Sequence, residues 1–320
     1  MKKISTIISP ATHFTDSIPI PDSGFEIATL SLVAGLLFLS LATFALIILL
    51  KLKSRNCRYL QSFNSLWIIR LLLVLLVSLW GFNQILKQPF MRHGDFLNRR
   101  ESHCRSQLVL DLGILEPGFL ISLLFLVDSS SKQNPNGIRS LFSVFLLCTP
   151  SISLQIYLVF FPPFKTVLPE FFHGSFILST DIFGAKSVLC TYPFFSWAIF
   201  SVFSGIYAVA LLVCCGRVTA LAINKGLRRR IQVLAGAVVV SISVQILSLC
   251  FSWLWRPEGD SYAWIMLAIF VCVAVCMGVA EVVLVITPVV EALEAADCGL
   301  WRFFPGRSQG KIAGDFSTPR

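Results

Sequence analysis

Hydrophobic residues in this chain fall in long runs that short polar or Pro- and Gly-bearing links separate. A run of about 20 apolar residues crosses a bilayer as an α-helix. The runs lack the alternating wet face that helices of a soluble bundle carry. Seven runs reach the required length, and they predict spans at Ile27–Leu50, Leu66–Leu86, Leu108–Val127, Leu141–Phe161, Phe194–Cys215, Ile231–Trp255 and Ala263–Val290.

The pattern predicts an all-α fold, a polytopic bundle of seven transmembrane helices. Residues 1–26 form a polar N-terminal tail, residues 27–290 the helical domain and residues 291–320 a C-terminal tail. Composition agrees, because 56% of residues are hydrophobic and only 13% are charged, with a mean hydropathy of +0.79. Soluble domains carry about 25% charged residues. We therefore expect an integral membrane protein of the plasma membrane or the endomembrane system.

The distribution of Lys and Arg among the links predicts the orientation. Cytoplasmic loops keep an excess of positive charge. Fifteen of the 26 basic residues fall in the first, third and fifth links and the C-terminal tail, and ten fall on the other side. We expect the N-terminus outside and the C-terminus in the cytoplasm. The net charge of +9 is then a topology signal, and with no recognition motif it predicts no nucleic-acid partner.

The third span contains two carboxylates and a helix breaker. At 1.5 Å per residue, Asp111 lies about 5 Å below the outer end, shallow enough to stay hydrated, and Glu116 lies about 12 Å deep. Regular α-helical spacing sets the two about 140° apart, on different faces. Intramembrane carboxylates face other helices, so Glu116 has either a ligand or proton role or a structural hydrogen bond. Gln245 at similar depth is the candidate partner, and Pro117 is expected to kink the helix.

Arg70 and Glu281 form a second intramembrane set. Arg70 enters the second span from the cytoplasmic side, and Glu281 lies deep in the seventh. Both come out about 24–27 Å from the outer boundary. We expect either an Arg70–Glu281 ion pair or an Arg70 side chain that extends to the inner headgroups.

Two groups of residues on the cytoplasmic side have a lipid interpretation. The fifth link carries four basic residues that either attract anionic inner-leaflet lipid or only orient the chain: Lys225, Arg228, Arg229 and Arg230. Three cysteines are candidates for palmitoylation, or are ordinary buried thiols: Cys214, Cys215 and Cys298.

No arrangement of residues indicates catalysis. The sequence has no CxxC, HExxH or Walker motif, and its four histidines fall in tails or links. These spacings are what zinc sites and hydrolase sites require. We expect no metal, no cofactor and no enzyme activity.

Two segments resemble a known family. "LQSFNSLWIIRLLLVLLVSLWGFNQILKQP" and "LGILEPGFLISLLFL" are similar to an uncharacterised plant family of multispanning membrane proteins, with FNSLW-x-x-R at the entry to the second span and LG-x-x-EP in the third. The resemblance implies architecture and no activity. By it, the family features in this chain are Phe63, Asn64, Trp67, Arg70, Glu116 and Pro117.

The overall plan also resembles that of G-protein-coupled receptors. Such receptors often link the outer end of the third span to the following outer loop, and this resemblance implies a disulfide between Cys104 and Cys190, both on the oxidising side. The alternative is two unpaired thiols. The third span ends in "FLVDSSSK" without Asp/Glu-Arg-Tyr, and the seventh has "VITPVVEAL" where Asn-Pro-x-x-Tyr is expected. The resemblance therefore concerns topology alone.

Two functions fit these observations. The first is an orphan seven-helix receptor-like or membrane interaction protein, with an unknown protein or small molecule as its ligand. The alternative is a small-solute or lipid transporter in which Glu116 is a polar site at the midplane, where transporters place their substrates.

Overall fold

The computed structural model describes residues 23–54, 66–87, 97–129, 137–161, 176–180, 186–190, 192–221, 225–251 and 260–302. The elements in chain order are α1 (Ser23–Ser54), α2 (Trp67–Lys87), α3 (Leu97–Val109), a first π turn (Leu110–Leu115), α4 (Glu116–Ser129), α5 (Gly137–Phe160), β1 (Phe176–Thr180), β2 (Lys186–Cys190), α6 (Phe194–Leu221), α7 (Lys225–Phe251), α8 (Asp260–Glu281), a second π turn (Val282–Ile286) and α9 (Thr287–Arg302).

Seven helical segments in the described chain are long and apolar enough to cross a membrane. They are Ile27–Ser54, Trp67–Lys87, Ser102–Asp128, Leu141–Phe160, Phe194–Leu221, Lys225–Cys250 and Trp264–Glu294. Each overlaps one predicted span, and the predicted end of the sixth span, residues 252–255, lies outside the described residues. By length and composition these helices fit an integral membrane protein.

The third span, formed by α3, the first π turn and α4, lies at the centre of the bundle. In its most apolar stretch 78% of the residues are buried, compared with 28% in that of the first span. It packs against α2, α5 and α6, and Leu112, Leu115 and Ile121 are almost fully enclosed. Because its neighbours are helices, polar side chains on this span find partners, which explains how it accommodates two carboxylates.

The remaining helices complete a ring. α1 packs against α2 and α8, and α7 packs between α6 and α8. α2 and α8 also meet directly at Trp80 and Phe270, whose stacked rings have centroids 5.5 Å apart. α1 thus occupies much of the space between the second and seventh spans.

A short antiparallel hairpin interrupts the helical fold. β1 pairs with β2 in the register Phe176↔Cys190 to Thr180↔Lys186. The prediction of a purely α fold missed it. A disulfide joins Cys190, the last residue of β2, to Cys104 in α3, with Cα atoms 5.4 Å apart. We call this side of the bundle, with the hairpin and the end of α2 at Lys87, the hairpin end.

The opposite side, where α6 ends at Leu221 and α7 begins at Lys225, is called the basic end. There, Arg230 Nη1 lies 2.8 Å from Glu291 Oε1 of α9. α9 continues the seventh span as far as Arg302. Helical structure therefore extends into the segment that the sequence assigned to the C-terminal tail.

Candidate functional site

The first π turn sets the geometry of the site. The backbone N–H of Glu116 donates to the carbonyl oxygen of Asp111, five residues earlier. A bond of this spacing widens the helix, and π turns of this kind are frequent at functional sites. The bond brings the backbone of Glu116 one wide turn after that of Asp111, while the two carboxylates keep different hydrogen-bond partners.

Small residues let the neighbouring helices approach this turn closely. A Cβ added at Gly113 would lie 3.5 Å from the Cβ of Gln155 in α5, and one at Gly118 would lie 3.4 Å from Leu76 of α2. Gln155 Nε2 donates to the carbonyl oxygen of Ser196 at 2.8 Å, which ties α5 to α6. The LG-x-x-EP segment thus provides tight packing as well as charge.

Asp111 is the centre of a hydrogen-bonded cluster with one face of α2. Asn83 Nδ2 donates to its Oδ1 at 2.5 Å, and Gln84 Nε2 lies 3.4 Å from its Oδ2. The Lys87 ammonium forms an ion pair with the same Oδ2. Asp111 is only 1% exposed. It does not stay hydrated as its depth suggested, because the central span lies behind α2 rather than at the lipid surface.

The cluster connects to the hairpin through Tyr192. Lys87 Nζ donates to the Tyr192 hydroxyl at 3.0 Å and lies 5.5 Å from the centroid of its ring. Tyr192 follows Cys190 by two residues, so the disulfide to α3 fixes the segment that carries it. The two cysteines that the receptor-like topology paired are therefore part of the wall of this site.

Glu116 lies deeper and contacts α7. Gln245 Nε2 donates to Glu116 Oε2 at 2.6 Å, the contact that matching depths indicated. Lys87 also acts electrostatically on the Glu116 carboxyl. Lys87 therefore acts on both carboxylates, and the cluster continues from the hairpin end into the middle of the bundle.

A small cavity adjoins Glu116. Its volume is about 20 Å³, and its lining includes Phe119, Phe200, Ser241 and Met277 besides the Glu116–Gln245 pair. A cavity needs roughly 10–15 Å³ of such volume to hold one water molecule. The midplane carboxylate thus borders a space with both polar and apolar walls.

Glu281 has a different partner from the predicted one. Ser40 Oγ of α1 donates to Glu281 Oε1 at 2.7 Å, and the contacts of Glu281 in the described chain include no ion pair with Arg70. Both Arg70 and Glu281 are buried. The prediction of an Arg70–Glu281 pair assumed that spans two and seven adjoin at this depth, whereas α1 packs against both and supplies the hydroxyl.

The candidate lipid-facing residues differ in accessibility. Lys225, Arg228 and Arg229 are exposed at the basic end, and the Arg230 side chain is 40% exposed beside Glu291. Cys215 is buried in the core. Cys214 is partly exposed, and the side chain of Cys298 lies outside the described residues. Since α6 continues to Leu221, both neighbouring cysteines lie inside the helix rather than at its end.

Several residues of the site were not predicted from the sequence. Asn83, Gln84 and Lys87 were not singled out, nor was Tyr192. The signal was present in "LWGFNQILK", because residues three, four and seven after Trp80 lie on one face of a helix. Among the described residues, no group of three His, Cys, Asp or Glu lies close enough to hold a metal ion. Phe63 and Asn64 lie outside the described residues.

Fold and site together are those of a seven-helix membrane protein with a buried polar cluster on its central span. The chain belongs to the family described as "Uncharacterised conserved protein UCP031277", whose family model matches residues 11–299. No curated protein matches the chain.

Proposed function

We propose that this protein is receptor-like: an event at the hairpin end changes the polar cluster, and the third span transmits the change into the bundle. The observation that carries this proposal is that Tyr192, two residues after the disulfide-bonded Cys190, contacts Lys87, which in turn pairs with Asp111. No catalytic step is part of the proposal. The plant origin implied by the FNSLW and LG-x-x-EP segments is part of it.

The orientation in this proposal places the hairpin end outside the cytoplasm. Disulfides persist in oxidising compartments, and the Cys104–Cys190 bond lies at this end. Cytoplasmic loops retain positive charge, and Lys225, Arg228 and Arg229 lie at the opposite end. These two arguments are independent and favour the same orientation.

The first π turn gives the third span a means of transmission. In this turn the backbone N–H of Glu116 bonds to the carbonyl oxygen of Asp111. A movement of Asp111 therefore moves Glu116, which contacts Gln245 of α7. α7 begins at the basic end. A change in the outer ion pair would thus have a mechanical route to the cytoplasmic surface.

Hydrogen exchange of the protein in nanodiscs tests this coupling. We expect Asp111→Asn to raise amide exchange around the cluster, around Gln245, and in the segment 216–230 at the basic end. The matched control is Asp128→Asn, which changes a carboxylate near the end of α4 outside the cluster. An effect of Asp111→Asn that stays within the hairpin end, or an equal effect of the control, would contradict the receptor-like proposal.

Transport is the second candidate, and the cavity beside Glu116 is the observation that favours it. Transporters bind substrates and coupling ions near the midplane. Proton flux into proteoliposomes, measured with an internal pH-sensitive dye under an imposed potential, tests this candidate. The matched control is Glu294→Gln, because Glu294 is exposed near the end of the seventh span. A proton flux that is lost in Glu116→Gln and retained in Glu294→Gln would favour transport over the receptor-like function. Flux equal to that of protein-free liposomes would reject proton transport through the Glu116 site.

A further inference from the structure

The Lys87 side chain occupies a site with the features of an ammonium-binding site. Its Nζ contacts the carboxylate of Asp111 and the hydroxyl of Tyr192, and the Tyr192 ring centroid lies 5.5 Å away. A carboxylate and a hydroxyl accept N–H bonds, and an aromatic ring attracts a cation within about 6 Å. Lys87 thus acts as an internal occupant of this site.

The carboxylate of this site is positioned by groups other than Lys87. Asn83 Nδ2 and Gln84 Nε2 both point at Asp111, at 2.5 and 3.4 Å. Both lie on α2 and donate N–H groups to the carboxylate, so they hold it in place while a cation balances its charge. The cation that occupies the site, the Lys87 ammonium, brings its own N–H donors to the carboxylate and the hydroxyl.

Lys87 is placed so that it can leave. It is the last residue of α2, and its side chain is 21% exposed whereas that of Asp111 is 2% exposed. Its ammonium is a compact charge on a flexible four-carbon stem. Rotation of that stem would take the ammonium away from Asp111 and the Tyr192 hydroxyl.

We propose that the hairpin end binds a small ligand bearing a primary ammonium group, which replaces the Lys87 ammonium at Asp111 and Tyr192. This inference rests on the receptor-like proposal and names its ligand class. The displaced Lys87 no longer acts on Glu116, with which it interacts in the present state. Ligand binding would thereby reach the midplane carboxylate without contacting it.

Competitive labelling of the wild-type protein in nanodiscs tests the site directly. An amine-selective acylating reagent modifies lysines, and mass spectrometry gives the ratio of Lys87 to Lys225 labelling. Lys225 is exposed at the basic end, so the ratio cancels reagent consumed by added amines. We expect propylammonium to raise the ratio severalfold, and tetramethylammonium and propanol to leave it unchanged. In Asp111→Asn the ratio should be high without any addition and insensitive to propylammonium.

A labelling ratio that propylammonium does not change, or that tetramethylammonium or propanol raises equally, would overturn the ammonium site.

The Lys87→Ala variant provides a second readout, because it empties the site. Propylammonium should raise the unfolding temperature of this variant, and should not raise it when Asp111→Asn is added. Lys87→Gln replaces it if the alanine variant does not fold. If propylammonium leaves the labelling ratio unchanged but Asp111→Asn still raises hydrogen exchange at the basic end, the ammonium ligand is rejected and the receptor-like function is retained. A labelling response without that coupling rejects the receptor-like function alone.

Discussion

The Lys87–Asp111 ion pair allows a quantitative prediction. Lys87→Met keeps the length of the side chain and removes its charge, which leaves a carboxylate that is 2% exposed. Removing one partner of a buried pair costs about 3–5 kcal/mol. Asn83 and Gln84 continue to donate to Asp111, so we expect a loss of about 2–3 kcal/mol in the free energy of unfolding.

Asp111→Asn should cost less. The Lys87 ammonium is 21% exposed and keeps its hydrogen bond to the Tyr192 hydroxyl, so we expect a loss of about 1–2 kcal/mol. In the double variant neither charge is left without its partner. Its loss should therefore be smaller than the sum of the single losses by about 1–2 kcal/mol.

Reversible unfolding in mixed micelles, followed by tryptophan fluorescence, measures these values. The matched control is the cycle of Arg230→Met and Glu291→Gln, a pair that is 40% and 57% exposed. Its coupling should stay below about 1 kcal/mol. Additivity of the Lys87 and Asp111 changes within about 0.5 kcal/mol would show that the pair is not coupled, and the reasoning about the buried cluster would fail.

Three further predictions concern packing, the disulfide and topology. Gly113→Leu should cost about 1–3 kcal/mol of stability by overpacking, while Gly205→Leu, with open space around its Cβ, should change stability by less than about 0.5 kcal/mol; equal losses would argue against the close approach of α5. Cys104→Ser or Cys190→Ser should lower the free energy of unfolding by about 2–4 kcal/mol, since the bond closes a separation of 86 residues; an equal loss in Cys250→Ser, which removes an exposed free thiol, would contradict this. Tags at the two termini should show opposite protease access in sealed vesicles, and access on a common side would refute the orientation.

Hydropathy located the seven spans, but their ends were predicted less well. α3 begins at Leu97, before the predicted start at Leu108, and α9 reaches Arg302. Both extensions carry polar residues. They therefore form no apolar run, and a search for apolar runs does not include them in a span. The hairpin was missed for a related reason, since strands of five residues are too short to give a clear alternation.

The candidate site was predicted in part. Depth matching at 1.5 Å per residue found the Glu116–Gln245 contact. The same arithmetic failed for Asp111, since depth says nothing of whether lipid or protein surrounds a residue. It also failed for Glu281, because the hydroxyl of Ser40 leaves no signal in the sequence. A π turn has no residue signature, so the sequence did not indicate the bond between the Glu116 N–H and the Asp111 carbonyl oxygen.

Each π turn borders a buried glutamate: Glu116 follows the first, and Glu281 precedes the second. A π turn contains one residue more than a regular α-helical turn. Deleting a residue between positions 110 and 115 would remove the surplus, restore regular winding and leave the faces above and below the turn in their present register. The same deletion in the regular part of α4 would instead rotate one part of the span by about 100° relative to the other. The second π turn gives the seventh span the same tolerance of a one-residue deletion.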